Sequence, residues 1–126
     1  MLDGETDVTA RIIACATEVH RHLGPGLLES AYETAMCVEF ELNGVRFTRQ
    51  VGLPLFYKGV LISEHRPDLI VEDRVVVEVK SISRFENVHT AQLLTYLRVT
   101  SIPVGLLLNF NTAVLKHGIR RVVLRA

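Results

Sequence analysis

The sequence predicts a single α/β domain with helices on both sides of a mixed central sheet. Two segments with apolar residues three and four apart open the chain, five β-branched or aromatic segments follow, and a further helical segment precedes two last strands. The order is ααβββββαββ. No linker, repeat or low-complexity stretch divides the 126 residues, and a chain of this length, 48% apolar, buries enough surface to form a core without disulfides or metal.

In the first helix Thr6 or Asp7 is the expected cap, and Val8, Ile12, Cys15, Ala16, Val19 and Leu23 form its apolar stripe. Gly24-Pro25-Gly26 stops it, since glycine accepts the left-handed conformation of a helix end and proline has no amide hydrogen. A second helix follows at once, with Leu28, Ala31, Tyr32, Ala35 and Met36 inward, and ends near Leu42 before Asn43-Gly44.

Val45 to Val51 then reads as a strand, and Leu53–Tyr57 and Val60–Ser63 as a hairpin turning at Lys58-Gly59. Residues 67–71 and 74–80 are strands joined by a tight turn at Glu72-Asp73, and their runs of Val and Ile predict burial on both faces. A helix over Phe85–Val99 directs Val88, Leu93, Leu94 and Leu97 to the core. Pro103–Phe110 is a strand, and a last hairpin turns near His117-Gly118 into Ile119–Arg125.

The chain carries 14 basic and 14 acidic side chains, which argues against tight nonspecific binding to nucleic acid. The balance is uneven. Residues 1–41 hold eight acids and two bases, net −6, and residues 42–126 hold six acids and twelve bases, net +6, so a local basic groove stays open. A mean hydropathy of +0.27 predicts apolar surface covered by another chain, hence a homo-oligomer such as a homodimer. No apolar run reaches the roughly 18 residues of a membrane span, and the acidic start Met1-Leu2-Asp3-Gly4-Glu5 does not read as a targeting segment, so no membrane is expected as a partner. The expected location is the cytoplasm. Cys15 and Cys37 fit buried thiols rather than a zinc site or redox pair.

The chemistry concentrates on the strands at 67–71 and 74–80. A tight connection brings Asp68 and Glu78, ten positions apart, to one edge of the sheet, where two carboxylates outline a cation site. Glu78 and Lys80 point to the same face, with Val75, Val77 and Val79 on the other. On the following helix a spacing of four puts Gln92 and Tyr96 on one face. Gly26, Glu29 and Tyr32 lie along one stripe of the second helix.

Pro67-Asp68 with Glu78-Val79-Lys80 resembles the PD-(D/E)XK nuclease superfamily, and Gln92-Leu93-Leu94-Thr95-Tyr96 resembles the QxxxY motif of its RecB-like members. Gly26-Leu27-Leu28-Glu29-Ser30-Ala31-Tyr32 is similar to the signature of the GxxExxY protein family, grouped with these nucleases. The likeness runs from Val19 to Phe110. It implies a three-layer restriction-endonuclease-like core and a metal-dependent nuclease, on DNA ahead of RNA. Asp68, Glu78 and Lys80 are then catalytic, Gln92 and Tyr96 orient substrate or catalytic groups, and Glu29, Asp68 and Glu78 hold Mg²⁺ or Mn²⁺. His20, nine residues before Glu29, and His89, one turn before Gln92, are weaker candidates for a metal ligand and a phosphate contact. The alternative is a non-catalytic interaction or oligomerisation module on the same fold. No GxxxxGK[ST] phosphate loop occurs, so a helicase would be a separate protein partner.

Overall fold

The computed structural model describes residues 2–125, and the side chains of residues 7–125. Helix α1 spans Leu2–Leu23 and helix α2 spans Glu29–Leu42. Strands β1 (Phe47–Arg49), β2 (Leu53–Tyr57), β3 (Val60–His65), β4 (Leu69–Val71) and β5 (Val75–Lys80) follow, then α3 (Asn87–Thr100), β6 (Val104–Asn109), a 3₁₀ turn at Leu115–Gly118 and β7 (Ile119–Val123).

A five-stranded sheet runs in the order β1-β4-β5-β6-β7. Only β5 and β6 are parallel, because α3 crosses over between them; the remaining neighbours are antiparallel. Alternation along β5 separates two cores. Val75, Val77 and Val79 pack with Ile12, Ala16, Tyr32, Met36 and Phe40 of α1 and α2. Val76 shares the opposite face with Leu107, Val122 and the α3 residues Leu93, Tyr96 and Leu97. The molecule is therefore a three-layer α/β/α domain, as the sequence predicts. Cys15 and Cys37 are both buried, and burial raises the pKa of each thiol.

Several expectations are corrected. The first helix begins at Leu2, so Asp7 lies inside it rather than at its cap, because no breaker separates residues 2–6 from the apolar stripe; the Thr6 side chain lies outside the described residues. Leu23 and Leu28, expected in the core, are 42% and 79% exposed: they sit at the ends of their helices, and the buried stripe of α2 is Tyr32, Glu33, Met36, Cys37 and Phe40. Val88, in the first turn of α3, is 66% exposed and overhangs a groove rather than packing on the sheet. The strand expected over 45–51 shrinks to β1, since Gln50 takes φ 56° and turns the chain away from the ladder.

Strands β2 and β3 form a separate two-stranded ribbon. It exposes Phe56, Tyr57, Val60, Leu61 and Ile62, while α3 contacts its β2 strand. Among the described residues no helix is long and apolar enough to cross a membrane.

Candidate functional site

The three-residue turn between β4 and β5, residues 72–74, uses the left-handed conformation at two successive residues, Glu72 (φ 53°) and Asp73 (φ 55°), and the Arg74 amide donates to the Val71 carbonyl at 2.9 Å to close it. Its register pairs Val71 with Val75 and Leu69 with Val77. One residue further on, Asp68 and Glu78 meet. The Asp68 amide donates to Glu78 Oε2 at 2.7 Å, and the Val79 amide donates to Asp68 Oδ2 at 2.7 Å. These bonds lock both carboxylates onto the main chain at one end of the β4–β5 pair, inside the sheet rather than along its outer edge. Lys80 Nζ stands 3.8 Å from Glu78 Oε1.

Burial dominates the electrostatics. Glu78 is 4% exposed, and desolvation together with the Asp68 charge pushes its pKa up to about 8, against the Asp68 amide and Lys80. Desolvation raises Asp68 to about 6 against the Val79 amide, with the Glu33 carboxylate adding to the rise and Lys80 opposing it. A buried acid and a half-buried one, with one nearby ammonium, are undercompensated, a condition that a cation relieves.

Glu33 is a site residue that the motif reading misses. Its carboxylate accepts from Arg49 Nε at 2.7 Å and from Gln50 Nε2 at 3.0 and 3.2 Å, and its charge raises both Asp68 and Glu78. The sequence signal is spacing alone, since Glu33 follows Glu29 by one helical turn; its place beside Tyr32 on the buried stripe comes from the structure. Gln50 carried no such signal.

Glu29 is engaged elsewhere. Its Oε2 accepts from the Ser81 amide at 3.0 Å, while Ser81 Oγ donates to the Leu27 carbonyl at 2.6 Å. Tyr32, fully buried and stacked on Phe110, donates its hydroxyl to the Gly24 carbonyl and accepts from the Leu27 amide. Gly24 and Gly26 have φ of 67° and 102°, which the sharp path of this loop requires. The Gly26-Glu29-Tyr32 stripe thus ties the α1–α2 loop to the residue after Lys80. Asn109 fixes the same segment from β6, bonding both the amide and carbonyl of Ile82.

Above the opposite face, Tyr96 is raised to about 12 by burial and by the charges of Glu78 and Asp68, with a hydrogen bond from Gln92 working against the rise. Both side chains line an open groove of about 390 Å³ between α3 and the β2–β3 ribbon, with His65, whose ring lies 6.0 Å from that of Tyr96. His89 closes a capping box: its Nδ1 accepts from the Glu86 amide. His20 is buried, its Nε2 bonded to the Thr112 carbonyl at 2.7 Å and its ring tilted against Phe110. Asp68, Glu78 and Lys80 thus stand together, with Gln50 and Glu33 next to Asp68; Tyr96 feels the charges of Glu78 and Asp68, Gln92 joins through Tyr96, and Glu29, His20 and His89 take partners outside this set.

The donor set suits a hard divalent cation. Asp68 and Glu78 offer oxygen alone, and a bound cation would reverse the rise that burial imposes on both. Among the described residues no group of three or more His, Cys, Asp or Glu is disposed to hold a metal ion. Two carboxylates match the way Mg²⁺ is commonly held, with water and substrate phosphate completing its shell.

Residues 6–122 match the family model of the PD-(D/E)XK nuclease superfamily. No curated protein and no solved structure matches the chain.

Proposed function

The chain belongs to the PD-(D/E)XK nuclease superfamily, and from that premise we propose that it is a metal-dependent phosphodiesterase of nucleic acid, on DNA ahead of RNA, in the GxxExxY branch. One observation carries the reading: a buried carboxylate and a half-buried one, both locked onto the main chain, and an ammonium converge at one end of the β4–β5 pair. Asp68 and Glu78 would hold Mg²⁺ or Mn²⁺, which when bound supplies Lewis-acid polarisation of the phosphoryl group and a water of lowered pKa.

The chain's own groups supply the remainder. Lys80, 17% exposed in its side chain, has its Nζ 3.8 Å from Glu78 Oε1, where it stabilises charge developing on the phosphate and can orient the attacking water. Tyr96 keeps its proton, since its pKa lies near 12, so its hydroxyl is a donor at neutral pH. Gln92 orients that hydroxyl. Glu29 acts as a positioning residue through Ser81, fixing the main chain that follows Lys80.

Labelled single- and double-stranded DNA and RNA, incubated with Mg²⁺ or Mn²⁺ and with chelator, test the proposal. Product that requires the cation and disappears in the Asp68→Asn, Glu78→Gln double variant supports it. Product that survives the double substitution overturns it.

A second reading, a non-catalytic interaction module that forms a homodimer or binds another protein, draws on the five large apolar side chains exposed by the β2–β3 ribbon, Phe56, Tyr57, Val60, Leu61 and Ile62. It expects self-association in sedimentation without turnover on any of the four substrates.

A further inference from the structure

We propose that the side-chain amide of Gln50 occupies cation space between Glu33 and Asp68, and that displacing it sets the cation affinity of the site. The inference rests on the reading that Asp68 binds the cation. Gln50 lies just past β1 and, though not glycine, has φ 56°, a sparsely populated conformation that persists only where the surroundings hold it. They do so here. Its amide N–H donates to the Asp68 carbonyl at 3.0 Å, and its own carbonyl accepts from Arg66 at 3.1 Å.

So anchored, the side chain reaches between two acids of different elements. Nε2 lies 3.0 and 3.2 Å from the two Glu33 oxygens and 3.4 Å from Asp68 Oδ1. Every neighbour is an acceptor, so the nitrogen rather than the oxygen of the amide must face them. The choice of Asp68 oxygen is informative. Oδ2 is committed to the Val79 amide, whereas Oδ1 is the oxygen that Gln50 touches and the one turned away from the main-chain lock.

An uncharged donor among three carboxylate oxygens softens their repulsion without cancelling it. Glu33 still raises Asp68, and Arg49 holds Glu33 from the other side. A cation that takes Asp68 Oδ1 competes with Gln50 for that oxygen and does its work with full charge. Gln50 is therefore a positioning residue that keeps the two acids together in the free protein and yields to the cation. It would have no such role if its amide only braced the loop after β1.

The test is calorimetric titration of Mn²⁺, without substrate, into wild type, Gln50→Ala, Gln50→Gly and Asp68→Asn. Glycine accepts φ 56° freely, so the Gln50→Gly variant separates loss of the amide from loss of the fold. Both Gln50 variants are expected to bind Mn²⁺ about tenfold tighter, the size of one net hydrogen bond no longer broken. Unchanged or weaker binding in Gln50→Gly, with wild-type binding still abolished by Asp68→Asn, overturns this proposal alone. If Mn²⁺ binds none of the four proteins, or binds Asp68→Asn as well as wild type, the cation reading fails and this inference with it.

Discussion

Asp68 and Glu78 clasp each other through the main chain: the amide of Asp68 bonds the Glu78 carboxylate, and the amide after Glu78 bonds the Asp68 carboxylate, both at 2.7 Å. Each acid is thereby held where burial penalises its charge. The fold has put work into keeping two like groups in a place that, for stability alone, apolar side chains would fill better.

The clasp predicts a pH dependence. The ordinary Glu value is 4.5, and in the folded protein Glu78 is raised to about 8 and Asp68 to about 6. Between those limits the folded chain keeps protons that the unfolded chain has released, so stability is greatest at the acid end of the window and falls as pH rises through it. In chelator, the melting temperature of wild type should fall from pH 5 to pH 8 more steeply than that of Glu78→Gln. A wild-type melting temperature that climbs across this window contradicts the assignment.

Glu29 and Glu33, one turn apart on α2, should separate by phenotype. Glu29→Ala removes the acceptor for the Ser81 amide and is expected to lower stability by about 1 kcal/mol while leaving Mn²⁺ affinity unchanged. Glu33→Ala removes the charge that acts on Asp68 and Glu78, and is expected to weaken Mn²⁺ binding about tenfold. Titration calorimetry of the two variants decides, and a reversed order would return Glu29 to the cation.

Tyr32→Phe strips the α1–α2 loop of its partner. The Gly24 carbonyl and Leu27 amide both lose the hydroxyl, while the ring stack on Phe110, with centroids 4.6 Å apart, survives. A loss of about 1 to 3 kcal/mol is expected in denaturant unfolding. A neutral result would show that the loop holds without this tie.

Gly105→Ala probes how closely α3 rides on the sheet. A Cβ there would lie 2.8 Å from Leu93 Cδ1 and 3.0 Å from its Cγ, and Leu93 is fully buried. Overpacking is expected to cost about 1 to 3 kcal/mol and to lift Gln92 and Tyr96 from their places. Unfolding and cleavage measured on the same preparation would show both.

The hairpin acids were legible in the sequence because strand alternation dictates that Glu78 and Lys80 share a face and the Glu72-Asp73 turn dictates where Asp68 falls. The three layers were legible for a similar reason, since Val75 and Val76 must serve opposite cores. Gln50 was not. Its partners Glu33 and Asp68 lie 17 and 18 positions away, and it sits on irregular backbone where no period assigns a direction. Helix ends are illegible for another reason: periodicity marks a stripe but not where the facing sheet stops, which is why Leu28 and Val88 fit the pattern and lie in solvent.

The most direct test is cleavage of labelled DNA by Lys80→Ala against wild type in saturating Mg²⁺, with melting curves to show that both are folded. Removing the ammonium beside Glu78 should cut the rate by about 100-fold or more, with Mg²⁺-dependent product from wild type. Equal turnover by the two proteins, or product that persists in chelator, would contradict the account.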